Sequence, residues 1–249
     1  MPNKKRLDIL LVDKGLATSR QKAKALIMAG KVLVDGQLTD KPGAAIAVNA
    51  SISIKDDGPP YVSRGGLKLS AALDALSLQL KDWVCLDVGA STGGFSDCML
   101  QYGARRVYAV DVGYGQLAWQ LRQDPRVICI ERTNIRHMPS DRIPERVDLA
   151  TIDTSFISLR IVVPAVQKFL KPDGRILALI KPQFEVGKGQ VGKGGVVRDS
   201  GQHDMVIRQL IEFFTEIGFV CGPVIPSPIR GPKGNQEFII LLGNSDSVL

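Results

Sequence analysis

A chain of 249 residues with 45% hydrophobic side chains has enough apolar surface for one large domain or for a medium and a small one, which excludes wholesale disorder. Its apolar runs reach only about seven residues, which excludes a membrane-spanning helix, and Met-Pro-Asn-Lys-Lys-Arg has no apolar segment behind it that would make a signal peptide. The net charge of +7 favours a polyanionic partner.

Positive charge concentrates at the start, where residues 1–60 carry ten Lys/Arg against six Asp. Arg6 to Leu16 reads as a short amphipathic helix ending at Gly15. Thr18 and Ser19 are good N-caps for a second helix running to about Ala29, with Gly30 as its stop. Its apolar side is Ala23, Leu26 and Ile27. Lys31-Val-Leu-Val-Asp35-Gly36-Gln-Leu then places an Asp-Gly hairpin turn between alternating strands. Asp56-Asp-Gly-Pro-Pro60 has the signals of a linker. The expected division is a small domain over 1–58, a linker over 59–62 and a larger domain over 63–249.

Arg6-Leu-Asp8, Thr18-Ser-Arg-Gln-Lys-Ala23 and Gly30-Lys-Val-Leu-Val-Asp-Gly36 carry a resemblance to the small RNA-binding domain first described in ribosomal small-subunit protein four. That resemblance implies that Arg6, Arg20, Lys24 and Lys41 face RNA phosphates; a solvated basic face is the plainer alternative. Arg6-Leu7-Asp8 also resembles the surroundings of a pseudouridine synthase's catalytic aspartate. An acid at a helix start favours the dipole, and that role is the one expected for Asp8.

Beyond the linker the pattern alternates as in a doubly wound α/β sheet. A helix is predicted over Arg64 to Leu80, then strands at 83–88, 106–112, 126–131, 147–153 and 174–181. Helices are predicted near 93–103, 115–123, 157–171 and 202–217. Phe219–Ile225 and Glu237–Leu242 are expected to close the sheet as an antiparallel pair, the methyltransferase variant of the Rossmann theme.

The turn after the first of these strands reads Asp87-Val-Gly-Ala-Ser-Thr-Gly-Gly-Phe95, and Asp111 closes the next strand 24 residues after Asp87. Gly89, Gly93 and Gly94 allow close approach by a ligand with an adenosine but no phosphates, such as S-adenosylmethionine, and Asp111 can accept hydrogen bonds from ribose hydroxyls. The predicted cofactor set is Asp87, Gly89, Ser91, Thr92, Gly93, Gly94, Phe95, Asp111, Asn134 and Asp153. Phe95 is also expected to pack the turn's helix on the sheet, and Asn134 could equally make a turn. Arg64, Arg132 and Arg136 are expected to extend the RNA track.

Ser63-Arg-Gly-Gly-Leu-Lys68, Asp87 to Phe95, Ile152-Asp-Thr-Ser-Phe156, Ile180-Lys-Pro-Gln-Phe-Glu185 and Gln236-Glu-Phe238 occur in that order. Together they resemble the FtsJ-type ribose 2′-O-methyltransferases, and the preceding RNA-binding domain narrows the resemblance to the TlyA (haemolysin A) family. The resemblance implies S-adenosylmethionine-dependent methylation of cytidine 2′-hydroxyls in ribosomal RNA. Its lysine–aspartate–lysine–glutamate tetrad falls on Lys68, Asp153, Lys181 and Glu237. A ribose hydroxyl is a poor nucleophile that must lose its proton as it attacks the sulfonium methyl in line, and a lysine serves as base when burial or a neighbouring cation favours its amine form. Lys181 is assigned as base, Lys68 as orienter and oxyanion stabiliser, and Asp153 and Glu237 as positioners; which lysine is the base stays open, because such groups titrate together.

Other chemistries fit less well. Cys85, Cys98, Cys129 and Cys221 lack metal-ligand spacing, so no metal is expected, and reduced cytoplasmic thiols are the plain reading. Cys85 and Cys129 are read as buried mid-strand residues and not as base-methylating nucleophiles. Gly187 to Gly194 nearly spells a phosphate-binding loop but lacks its Ser/Thr; it is read as a basic mobile loop or a plain connection. His137 and His203 are too isolated to serve as ligands. Ribosomal RNA or ribosomal subunits are the expected partners of a monomer that avoids membranes. A ribosome-assembly factor that binds RNA and cofactor without turnover is the second reading.

Overall fold

Local signals account for the first elements of the computed structural model, which describes residues 4–55, 60–187, 192 and 194–244. The chain separates into two units, Met1–Pro60 and Tyr61–Leu249. Of the expected linker, Pro59 lies outside the described residues, while Tyr61 is buried in the second unit and the Val62 amide donates to Asp97 Oδ2 at 2.8 Å. Residues 188–191 and 193 of the expected basic loop are also outside them.

The first unit runs β1 (Lys4–Arg6), α1 (Leu7–Asp13), α2 (Arg20–Met28), β2 (Val32–Val34), β3 (Gln37–Leu38), β4 (Ala45–Ala47) and β5 (Ile52–Ile54). Ser19 caps α2 by accepting from the Lys22 amide, and Gly30, at φ +67°, ends it. Asp35 and Gly36 both take positive φ, the geometry of a two-residue hairpin turn, and Val34 pairs with Gln37 across it. Leu7, Leu11, Ala23, Ile27 and Val32 form the core. α1 starts one residue later than expected because Arg6 pairs with Ala45 in a strand. Asp8 is buried in its first turn, where it accepts from Arg6 Nε at 3.0 Å and Arg20 Nε at 2.9 Å. Chiefly through the Arg6 bond, this pairing pulls its carboxyl down to about 2.

The second unit runs α3 (Gly65–Ala75), β6 (Val84–Val88), α4 (Gly94–Gln101), β7 (Arg106–Val110), α5 (Trp119–Gln123), β8 (Val127–Ile130), β9 (Val147–Ile152), α6 (Leu159–Gln167), β10 (Leu170–Ile180), α7 (Pro182–Glu185), α8 (Ser200–Glu216), β11 (Val220–Pro226) and β12 (Phe238–Gly243). Its seven strands order as β11-β12-β10-β9-β6-β7-β8, with β12 antiparallel to both neighbours and the strands from β10 to β8 parallel. Alternate residues feed two cores. Leu86, Tyr108, Ile152 and Ile240 enter one, and Cys85, Val107, Leu149 and Leu241 the other. α6 stops at Gln167 and not at 171, because Leu170 already pairs with Val147 in β10.

A cysteine expectation is also corrected. Cys85 is buried, and burial pushes its thiol up, but Cys129 is exposed. β8 is the sheet's edge, so its middle residues face outward.

The order of strand addition reverses at β6, with β7 and β8 added on one side and β9 on the other, and such a switch point opens a crevice beyond the strands' carboxyl ends. Asp87 lies one residue before that end, fully buried, accepting from Ser96 Oγ at 2.6 Å and Thr151 Oγ1 at 3.1 Å. Burial pushes its carboxyl up to about 6, against the opposing pull of those two hydroxyls. A raised carboxyl stabilises the fold fully below its unfolded value near 3.8 and loses that contribution as pH rises through 6. Asp87→Asn removes the titration. In urea unfolding, wild type should therefore lose up to about 3 kcal/mol relative to Asp87→Asn between pH 4 and pH 7.5. A pH-independent difference would show that Asp87 does not titrate in this range.

Candidate active site

The cleft at the carboxyl ends is built on two close backbone approaches. A Cβ on Gly94 would collide with Ser63 Oγ and come within 2.9 Å of the Gly66 amide, and one on Gly66 would enter the Tyr61 ring. The starts of α3 and α4 therefore touch almost backbone to backbone, and Lys68, in the first turn of α3, lines the cleft. At Gly89, φ is +84° and a Cβ would lie 2.8 Å from the Asp153 carbonyl, so the glycine seats the end of β6 against the residue following β9. What Gly66, Gly89 and Gly94 accommodate is thus protein backbone and side chain.

The cleft holds about 570 Å³ and is lined by all four residues of the expected tetrad. They form two ion pairs. Lys68 Nζ lies 2.6 Å from Glu237 Oε2, with both side chains nearly buried at 10% and 1% exposure. Lys181, immediately after β10, has its Nζ 2.6 Å from Asp153 Oδ1. Lys181 Nζ also donates to Ser155 Oγ at 2.9 Å. Glu237 precedes β12, and its Oε1 sits where a Cβ on Gly231 would be. Among the described residues, Thr154 Oγ1 and Gln183 Oε1 are buried without a hydrogen-bond partner.

The expected cofactor residues divide. Gly89, Ser91, Thr92, Gly94, Phe95 and Asp153 line the cleft. Asp87 does not reach it, because its carboxylate is turned into the layer between β6, β9 and α4 and bonded there. Gly93, at φ +98°, faces Leu117 and Leu121. Asp111 lies outside the lining and accepts from the Ser91 and Gly113 amides, each at 2.7 Å, so it shapes the glycine turn. Asn134 makes the turn foreseen as its alternative, accepting from the Arg136 amide. Phe95 is 4% exposed and packs in the core as well as lining the cleft.

Among the expected RNA residues, Arg64 lines the cleft and Arg136 is exposed. Arg132, at φ +51°, lays its guanidinium 4.1 Å from the Tyr114 ring centroid. In the first unit Lys24 and Lys41 are exposed, whereas Arg6 and Arg20 are half-exposed and already bonded to Asp8.

Sequence reasoning quoted the motifs holding Ser155, Phe156, Gln183 and Phe184 without assigning those residues a role. Phe156 is 89% exposed at φ +64°, its ring 5.0 Å from that of Phe184, an arrangement that offers an aromatic face at the cleft. Arg230 and Lys233, on the loop before Glu237, were not singled out at all; both line the cleft. Among the described residues no group of three His, Cys, Asp or Glu side chains could hold a metal ion, and no helix is long and apolar enough to cross a membrane.

Residues 61–244 match the FtsJ-like methyltransferase family, and residues 5–52 match the S4 domain. The chain is 49% identical over 240 residues, 96% of its length and 85% of the other, to YqxC of Bacillus subtilis strain 168, named as a candidate rRNA methyltransferase. It is 46% identical over 243 residues, 97% of its length and 91% of the other, to the 16S/23S rRNA (cytidine-2′-O)-methyltransferase TlyA of Mycobacterium tuberculosis. A solved structure of a candidate hemolysin from Streptococcus thermophilus superposes with a TM-score of 0.73 at 45% identity, covering 99% of this chain and 90% of that one. With an S4 domain ahead of an FtsJ-like methyltransferase domain, and this identity over nearly its whole length, the chain belongs to the TlyA family of FtsJ-like methyltransferases.

Proposed function

We propose that this protein transfers a methyl group from S-adenosylmethionine to the 2′-hydroxyl of a cytidine in ribosomal RNA. The observation that carries the reading is the convergence of Lys68, Asp153, Lys181 and Glu237 on one cleft as two lysine–carboxylate pairs. The cleft volume lies in the range of small-molecule sites. Ser155, Gln183 and Asn235 set uncharged polar side chains in the cleft lining, which suits a nucleoside-bearing ligand. Gly89, Ala90, Ser91, Thr92 and Asp153 would hold the cofactor, which when bound supplies an electrophilic methyl on a sulfonium.

The protein's own part is positioning and proton removal. Lys181 in its amine form would accept the hydroxyl proton as the ribose oxygen attacks, so the positive charge would end on Lys181. Ser155 aims Nζ through the 2.9 Å bond, and Asp153 stabilises the ammonium that forms. Lys68, held by Glu237, stabilises the developing oxyanion. Phe156 gives the substrate base a stacking face, which fixes the ribose for in-line attack. RNA enters over Arg64, and the exposed lysines of the S4 domain supply sequence-independent attraction.

The deciding experiment is transfer of labelled methyl from S-adenosylmethionine to rRNA and to ribosomal subunits lacking the modification, followed by nuclease digestion. Label should appear on a cytidine ribose. Lys181→Ala should reduce it at least about 100-fold with cofactor binding retained. Label on a base would overturn the role of the tetrad, and cofactor binding with no transfer would favour an assembly factor. In the same assay Phe156→Ala should raise KM for RNA by about tenfold, on the order of one base-stacking contact, and leave cofactor affinity unaltered. An unchanged KM would remove Phe156 from the substrate site.

A further inference from the structure

Five cationic side chains and two carboxylates line the cleft. Both carboxylates are engaged, Glu237 by Lys68 and Asp153 by Lys181, so the interior tetrad is locally neutral. The uncompensated charge belongs to Arg64, Arg230 and Lys233. Arg230 and Lys233 are exposed, and among the described residues neither meets an acid.

These two sit three residues apart on the loop joining β11 to β12, and that loop is built to hold shape. Ser227 Oγ donates to the Ile229 carbonyl at 2.6 Å, the Gly231 amide to the Asn235 carbonyl at 2.9 Å, and the Gly234 amide to the Gly231 carbonyl at 2.8 Å. Asn235, 2% exposed, fastens the loop to a neighbouring segment: its Oδ1 accepts from the Val197 amide and its Nδ2 donates to the Gly195 carbonyl. Gly231, between the two cations, lies flush against Glu237. The backbone that carries both charges is therefore set relative to the Lys68–Glu237 pair, and a rigid mount lowers the entropy cost of using them.

We infer that Arg230 and Lys233 form a backbone clamp that grips phosphates of the RNA strand beside the target ribose. The inference rests on the RNA-methylating reading above. Phosphates are the ligand that fits: the cations are separate, outward and solvated, suited to a chain of spaced anions passing the rim, and a strand threading its ribose between Lys68 and Lys181 carries such anions on either side. The clamp supplies register as well as affinity, because a ribose displaced by about 1 Å loses in-line geometry.

The test uses the full chain with Arg230→Gln, Lys233→Gln and the double variant, and reads the salt dependence of rRNA binding alongside methyl transfer. Each lost phosphate contact should lower the slope of log K against log salt by about 0.7, so the double variant should fall by about 1.4. KM for RNA should rise in step, S-adenosylmethionine affinity should hold within twofold, and Arg230→Lys with Lys233→Arg should restore the slope. An unchanged slope overturns the clamp. So does loss of cofactor affinity, which would assign the cations to the cofactor's carboxylate. If wild type transfers no methyl yet the slope falls as expected, the clamp stands and the methylation reading fails; if neither occurs, both fail.

Discussion

The Lys68–Glu237 pair is the constraint on which the second unit is arranged. Its partners are 169 positions apart, and both are almost withdrawn from water. An isolated ion so placed is costly, and removing one member of a buried pair typically costs 3–5 kcal/mol because the other charge is left uncompensated. The two backbones must therefore arrive together. α3 meets this by starting against α4 at Gly66 and Gly94, and the other partner meets it by preceding β12, the strand inserted antiparallel between β10 and β11. Were β12 added in parallel at the sheet's edge, Glu237 would begin its strand at the opposite end from the cleft. The reversed strand is thus a functional requirement as much as a topological signature.

The second pair is built differently, and the contrast separates two tasks. Lys181 and Asp153 follow neighbouring parallel strands, so the sheet alone brings them together at its carboxyl edge. Lys181 Nζ is shared there between two partners, Asp153 Oδ1 at 2.6 Å and Ser155 Oγ at 2.9 Å. An ammonium held by one nearly buried carboxylate keeps its geometry; one shared between a carboxylate and a neutral hydroxyl can exchange partners during a reaction. The first description fits Lys68 and the second fits Lys181, which supports the proposal that the proton transfer falls on Lys181.

How much could be read from the chain follows the range of the forces involved. Asp35-Gly36 and Ser19 were legible because a turn and a cap are decided by residues within three positions. The parallel strands were legible because residues buried on both faces leave continuous apolar runs. Gly94 was legible as important but not for its reason, since Ser63 and Gly66 reach it only after folding. The same applies to Asp87, whose partners Ser96 and Thr151 lie on other elements. Cys129 was read as buried because its strand looks like the others; only strand order makes β8 an edge. Arg230 and Lys233 gave no periodic signal, sitting in a Pro/Gly-rich connection where their direction depends on bonds to Asn235 and Gly195.

The distribution of charge follows from these contacts and bears on selectivity. A tetrad that neutralises itself exerts little net pull on a polyanion, so long-range attraction falls to unpaired cations at the rim and to the basic first unit. Fields of that kind raise the encounter rate with any RNA but do not choose a nucleotide. Choice must then come at short range, and the uncharged side chains that line the cleft, Ser155 and Gln183 with the aromatic face of Phe156, are the groups placed to make it. On the proposed mechanism, a strand drawn in by its phosphates reacts only where one of its riboses reaches Lys181 with a base that those groups accept. Attraction and discrimination are thereby carried by different residues, so each can vary without dismantling the ion pair that holds the cleft together.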